Sequence, residues 1–92
     1  MIRLRGHLIC ATSEESAAVQ AHVAGHTRLS RAEPGCLSFE VTPTDDPLRW
    51  EVLETFRSQT DFNAHQARTR ASDWFDATRN ILRDFRVEAI GD

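Results

Sequence analysis

The sequence of 92 residues contains little cysteine and no long apolar run. Its two cysteines, Cys10 and Cys36, are too few for a disulfide framework and lack the spacing of a metal site. No apolar run approaches the roughly 20 residues of a membrane span, and the N-terminus enters a strand pattern instead of the apolar core of a signal peptide. We therefore expect a cytoplasmic protein with reduced thiols and no membrane partner.

Positive charge is also sparse, because acidic residues outnumber basic ones 14 to 11 and the basic residues are scattered. Phosphate backbones bind to concentrated cationic surfaces, so we expect no nucleic-acid partner. The chain shows no repeat, linker, glycine-rich phosphate loop, Ser-His-Asp spacing or Cys-His nucleophile pattern. The length and the lack of a linker or repeat predict one domain, residues 1–92. The other absences exclude the common catalytic motifs.

The sequence does contain a sharp change of pattern at Glu33-Pro34-Gly35. Side chains that share one helical face precede it: Val19, His22, Val23, His26 and Leu29. Apolar side chains that alternate with polar ones follow it: Leu37, Phe39 and Val41. Pro34 cannot continue a helix, and Gly35 would supply a φ that side chains resist. The corner therefore predicts a helix, a stop and a strand.

The same patterns predict the remaining elements. Alternation indicates strands at residues 2–11, 36–43, 48–57 and 85–90. Hydroxyl caps indicate one helix at about 12–32 and a second helical region after Ser58, with a break near 70–72 and a further helix that carries Trp74 to Leu82. The order βαββαβ is the ferredoxin-like α+β pattern, with two helices on one face of a four-stranded antiparallel sheet in the order 4-1-3-2.

The predicted sheet leaves one face without helices. We expect Ile2, Leu4 and Leu8 on that face, where they would expose apolar surface. A chain of this length also forms only a marginal core alone. Both points favour a homodimer that stacks through its sheet faces.

Four segments, residues 31–41, 45–47, 52–56 and 61–65, together resemble the antibiotic biosynthesis monooxygenase (ABM) family, which includes quinol monooxygenases. The Glu-Pro-Gly-Cys corner and the Phe-x-x-His of the second helix carry most of the resemblance, which covers nearly the whole chain. It implies a dimeric α+β barrel. It also implies a monooxygenase that acts on a quinol-like or polycyclic aromatic small molecule with O₂, without a metal or another cofactor.

His65 is the first catalytic candidate, because it shares a helical face with Phe62 and an imidazole can take a proton from a phenol near neutral pH. The resulting phenolate could itself reduce O₂. His7 on the first strand is expected across the same cavity as a second acid–base group, with Arg5 beside it to hold an anionic intermediate. The alternatives are a structural hydrogen bond for His65 and a solvated or interface position for His7.

Aromatic side chains could form the wall of a pocket for a flat ligand, and they suit a core equally well. The candidates are Trp74, which follows the predicted helix break, and Phe75, Phe62 and Phe39. His22 and His26 have the i, i+4 spacing of zinc-binding helices, but no third ligand is evident.

Two other functions stay open. One is a non-catalytic or stress-protective module that binds a small hydrophobic ligand in a cavity without converging titratable groups. The other is a haem-degrading monooxygenase, the activity of a related branch of the fold, although no histidine lies near Ala77 and Thr78, where the resemblance places an iron ligand.

Overall fold

The computed structural model describes residues 1–91. The structure contains four strands, β1 (Ile2–Ile9), β2 (Cys36–Pro43), β3 (Arg49–Phe56) and β4 (Leu82–Ala89), and three helices, α1 (Ser13–Arg31), α2 (Gln59–Arg70) and α3 (Asp73–Thr78). Their order along the chain is β1-α1-β2-β3-α2-α3-β4. The strands form an antiparallel sheet in the order β2-β3-β1-β4, which is the predicted order read from the other edge. The predicted ferredoxin-like α+β fold is confirmed.

Hydroxyl side chains begin all three of these helices. Thr12, Ser58 and Ser72 each accept a hydrogen bond from the backbone N–H three residues later, which satisfies a donor that the helix itself cannot pair. Because α2 ends two residues before Ser72, the predicted helix break is confirmed. The last helix is shorter than predicted, since Leu82 already belongs to β4. No helix within residues 1–91 is both long and apolar enough to cross a membrane.

Gly35 is required at the corner for space and not for a special backbone conformation. Among the described residues only Gly6 and Gly91 have a positive φ, so the expectation for Gly35 is wrong. A Cβ on Gly35 would lie 2.1 Å from Cγ of Asp61 near the start of α2. The corner between α1 and β2 therefore packs closely against α2.

The core lies between the helices and the sheet face that carries the even-numbered residues of β1. Ile2, Leu4 and Leu8 are only 7%, 3% and 1% exposed. Trp50 and Phe56, which pair with Leu8 and Ile2, are buried on the same face. The expectation that Ile2, Leu4 and Leu8 form a bare apolar face is wrong, because strand alternation places them beneath the helices.

The uncovered sheet face is mainly polar and charged. Its side chains are those of Arg3, Arg5, His7, Ile9, Ser38, Glu40, Thr42, Arg49, Glu51, Leu53, Thr55, Leu82, Asp84, Arg86 and Glu88. Oε1 of Glu88 lies 2.8 Å from Arg3 and 3.2 Å from Arg5. Leu53 and Leu82, 41% and 62% exposed, are its large exposed apolar members. The broad apolar surface that was expected to drive stacking of two sheets is therefore not present on this face.

The two cysteines are free thiols, as expected. Cys36 pairs with Phe56 at one end of the sheet, whereas Cys10 follows Ile9, which pairs with Arg49 at the other end. The sheet thus keeps the two sulfur atoms apart.

Gly25 lies inside α1, where an added Cβ would meet no heavy atom within 4 Å. We expect Gly25→Ala to raise the free energy of unfolding by about 0.5 to 1 kcal/mol, because alanine loses less backbone entropy in a helix than glycine does. Urea unfolding followed by circular dichroism measures the change. Ala24→Gly, at the exposed preceding position, is the matched control and should lose a similar amount. A less stable Gly25→Ala protein would contradict the open space beside α1.

Candidate active site

A cavity of about 230 Å³ lies between the sheet and the helices. Its apolar wall consists of Leu4, Leu8, Phe39, Val41, Val52, Trp74, Phe75 and Phe85. Its polar lining consists of His26, Glu54, His65, Gln66, Thr69, Arg70 and Arg83. Since an apolar cavity of about 150 Å³ can hold benzene, this space suits a ligand of one or two fused rings.

Strand alternation and helix periodicity bring two ionisable side chains into the cavity. Glu54 lies on the helix-covered face of β3 between Val52 and Phe56, and it is 6% exposed. His65 lies three residues after the buried Phe62 on α2, and it is 2% exposed. Both groups are therefore removed from solvent, and buried polar groups need hydrogen-bond partners within the protein.

His65 is held in place by Glu33 from the corner. Oε1 of Glu33 lies 2.7 Å from Nδ1 of His65, and its other oxygen accepts a hydrogen bond from Nε of Arg68. Arg68 also donates to Oγ of Ser30 over 2.9 Å. A carboxylate paired in this way accepts the Nδ1–H of the imidazole and leaves Nε2 as the acceptor. Burial outweighs this contact with Glu33 and lowers the pKa of His65.

The Nε2 atom of His65 faces a second carboxyl group. It lies 3.5 Å from Oε1 of Glu54 and 3.3 Å from Oγ1 of Thr69. The longer separation is outside the usual range of a hydrogen bond, and Oε1 of Glu54 has no hydrogen-bond partner within residues 1–91. Burial, followed by the negative charge of Glu33, raises the pKa of Glu54 to about 8. At neutral pH a largely protonated carboxyl group and an acceptor nitrogen thus border the same cavity.

His26 forms a polar part of the aromatic wall. Its ring stacks on Trp74, with centroids 4.7 Å apart and an angle of 3° between the planes, and meets Phe39 edge-on at 5.2 Å. Burial is the main cause that lowers the pKa of His26 to about 3, so the ring is neutral at physiological pH. Its Nδ1 has no hydrogen-bond partner in the described part of the chain. The stack therefore offers a ligand both a flat surface and an unused polar atom.

Residues 4–77 match the family model described as antibiotic biosynthesis monooxygenase. The chain belongs to this family. No curated protein sequence matches it. Solved structures with the same fold include candidate ABM proteins from Deinococcus radiodurans (20% identity, TM-score 0.83, covering 100% of this chain and 94% of that one) and Nitrosomonas europaea (20%, 0.78, 97% of each chain). A third, from Chloroflexus aurantiacus, is 21% identical with a TM-score of 0.74 and covers 99% of this chain and 94% of that one.

The residues that the sequence predicts for the site of this ABM protein do not all meet. His65, Trp74 and Phe39 line the cavity, as does Phe75. Phe62 instead packs against Phe56 with ring centroids 5.5 Å apart and does not line the cavity. Its place is in the core beside the site.

His7 and Arg5 lie on the opposite, uncovered face of the sheet, in a shallow depression that also includes Glu51. The prediction that His7 shares a cavity with His65 is wrong, because the odd-numbered residues of β1 point away from the helices. Nε of Arg5 lies 3.2 Å from Glu88 on that face. Arg5 is therefore not placed to hold an intermediate in the cavity.

Three residues of this ABM site are not singled out for it by the sequence. Glu54 carries a usable signal, since it places a carboxyl group on the apolar side of a strand. Glu33 belongs to the Glu-Pro-Gly-Cys corner, but the sequence does not reveal its contact with His65, which joins residues 32 positions apart. His26 lies on the buried face of α1, but its spacing to His22 draws attention only to metal binding.

Proposed function

We propose that this protein is a monooxygenase that oxidises a quinol-like aromatic molecule with O₂ and needs no bound cofactor. The observation that carries the proposal is the convergence of Nε2 of His65 and the carboxyl group of Glu54 on an aromatic cavity. In this arrangement His65 is the base and Glu54 is the proton donor. Trp74 and Phe39 hold the flat ring of the substrate.

The first step is removal of a phenolic proton by Nε2 of His65. The imidazolium that forms is stabilised by Glu33, whose carboxylate lies 2.7 Å from Nδ1. A carboxylate plays the same part behind the histidine of a catalytic triad. The contact with Glu33 thus offsets part of the loss of basicity that burial causes in His65.

The second step is electron transfer from the deprotonated substrate to O₂. An electron-rich phenolate supplies the electrons that a flavin or metal supplies in other oxygenases. Oxygen then bonds to a ring carbon, and the protonated carboxyl group of Glu54 donates to the peroxide as it forms. Loss of the proton from that ring carbon breaks the O–O bond, and the outer oxygen leaves as water. For a hydroquinone the balance is one quinol and one O₂ giving one hydroxyquinone and one water, with no external reductant.

The proposal keeps the predicted homodimer and the predicted cytoplasmic location. The size of the chain supports self-association, since a domain this small buries a limited core. Contacts through the uncovered face would join charged side chains, such as Arg3 and Glu88, more than apolar ones. Such an interface would depend on charge complementarity between the two copies.

Oxygen uptake with a panel of hydroquinones and anthrones tests the proposed reaction. We expect consumption of one O₂ per substrate in chelator-treated buffer, with one atom of ¹⁸O₂ in the product and one in water. Mass spectrometry of the product measures the label. The absence of turnover across the panel, with ligand recovered unchanged, would instead favour the non-catalytic binding module.

A further inference from the structure

The cavity carries an excess of positive charge, although the whole chain has a net charge of −3. Arg70 and Arg83 are the cationic groups of its lining, and Glu54 is the carboxyl group. Burial holds Glu54 largely protonated and keeps His26 neutral. The lining therefore presents two fixed positive charges to a ligand and little negative charge to balance them.

The two arginines differ in what they already bind. Arg83 donates to the carbonyl oxygens of Thr78 and Ile81 over 2.6 and 3.0 Å, and to Oγ1 of Thr78 over 2.9 Å. Its guanidinium is largely used in holding the end of α3 against β4. Arg70, the last residue of α2, takes part in none of the side-chain ion pairs formed within residues 1–91. Arg70 is thus a solvent-exposed cation at the edge of the lining, with its hydrogen-bond donors available to a ligand.

We propose that the substrate is an aromatic acid, a hydroxylated one- or two-ring compound whose carboxylate binds to Arg70 while its hydroxyl group faces His65. The assignment of the reacting end rests on the proposed function, whereas the charge preference rests on the cavity alone. Guanidinium and carboxylate match as planar, bidentate partners. Arg70 would thus supply the positive charge for an anion in the cavity, which the sequence analysis expected from Arg5.

The same charges would assist the chemistry. Nearby cations lower the pKa of a phenol, because they favour its charged form. The carboxylate of the bound acid would balance the charge of Arg70, so this effect comes from Arg83, which is partly buried and acts at higher strength than in bulk water. Arg70 thus recognises the acid, and Arg83 assists removal of its phenolic proton.

Binding of 6-hydroxy-2-naphthoic acid and of its carboxamide, measured by calorimetry, tests the proposal. The two probes share their ring system and hydroxyl group and differ in charge. We expect the wild-type protein to bind the acid roughly ten-fold more tightly than the amide, near the lower end of the range for hydrogen bonds to charged groups, because solvent screens the exposed Arg70. Arg70→Gln should bring the two affinities to within about three-fold while leaving amide binding unchanged.

Arg49→Gln is the matched control, because it removes one exposed positive charge at the start of β3 on the uncovered face. It should leave the ratio of acid to amide affinity unchanged. Equal binding of the two probes to the wild type, binding of neither, or an acid preference that survives Arg70→Gln would overturn the proposal. These outcomes are independent of oxygen uptake with neutral quinols, so failure of the acid preference is distinguishable from failure of the oxygenase.

Discussion

His65→Ala should lower kcat for the best oxidised substrate by about 10²- to 10⁴-fold, the usual contribution of a general base. The Nε2 atom of His65 borders the cavity as an acceptor, and alanine removes it without introducing charge. Initial rates of oxygen uptake at saturating substrate measure the effect. His7→Ala makes the same replacement on the opposite sheet face and should retain wild-type rates. Equal rates for the two variants would remove His65 from the mechanism.

Glu33→Gln separates orientation of the imidazole from proton transfer. The amide can still contact Nδ1, but the negative charge that stabilises the imidazolium is lost. We expect a lower kcat with KM nearly unchanged, and an acid limb of the kcat profile that moves to lower pH, because the pKa of His65 falls further. An unshifted acid limb would mean that Glu33 only fixes the position of the ring.

Glu54→Gln should raise the free energy of unfolding at pH 7 by roughly 2 to 3 kcal/mol. In the folded protein burial raises the pKa of Glu54 from 4.5 to about 8, so the native state binds more protons than the unfolded chain between these values. Stability therefore falls as pH rises through this window, by at most about 1.4 kcal/mol per pH unit. Glutamine has no proton to lose. Near pH 4 Glu54 is mostly protonated in both the folded and the unfolded state, so the stability gain of Glu54→Gln should vanish there. Because Glu54 is the proposed proton donor, the stabler variant should also be less active.

The histidines of the cavity affect stability in the opposite direction as pH changes. The pKa values of His26 and His65 are lowered in the folded state, so stability falls as pH drops below about 6.5, where the unfolded chain takes up protons. Wild-type stability should therefore peak near pH 6.5. Glu54→Gln should lose the alkaline decline and show a steeper acid limb, because the opposing effect of Glu54 between pH 4.5 and 6.5 is removed as well. Urea unfolding between pH 4 and 9 measures both limbs, with Glu51→Gln on the exposed face as control. A Glu54→Gln protein less stable than wild type at pH 8 would show that Glu54 is ionised and paired with His65.

The positions of the strands and the helix break follow from local signals in the sequence. Alternation in β1 and β3 and the hydroxyl cap at Ser72 act over a few residues, and the fold obeys them. The covered face of the sheet is a different matter. Alternation places Leu4 and Leu8 on an apolar face, but it does not distinguish cover by a partner copy, which was expected, from cover by the helices. In the protomer the same-chain helices cover it first, since they are tethered to the strands.

The residues of the candidate site also fall into two groups, those that local periodicity identifies and those whose contacts form only in the folded chain. His65, Trp74 and Phe39 reach the cavity because each lies on an apolar face that periodicity identifies. The Glu33 contact depends on the close approach of the corner to α2, which only the folded chain creates. Arg70 is a candidate anion-binding residue because Glu54 and His26 in the same lining are largely neutral. Their neutrality results from burial, which residue spacing in the sequence does not reveal.

The stack of Trp74 on His26 gives the cavity an optical reporter. Trp50, the other tryptophan, does not line the cavity and donates its indole N–H to Oγ of Ser16 over 3.0 Å. The chain contains no tyrosine, so its near-ultraviolet emission comes almost wholly from these two indoles. In a Trp50→Phe background, fluorescence would report on a single ring that touches any occupant, and stopped-flow quenching could time its arrival and departure.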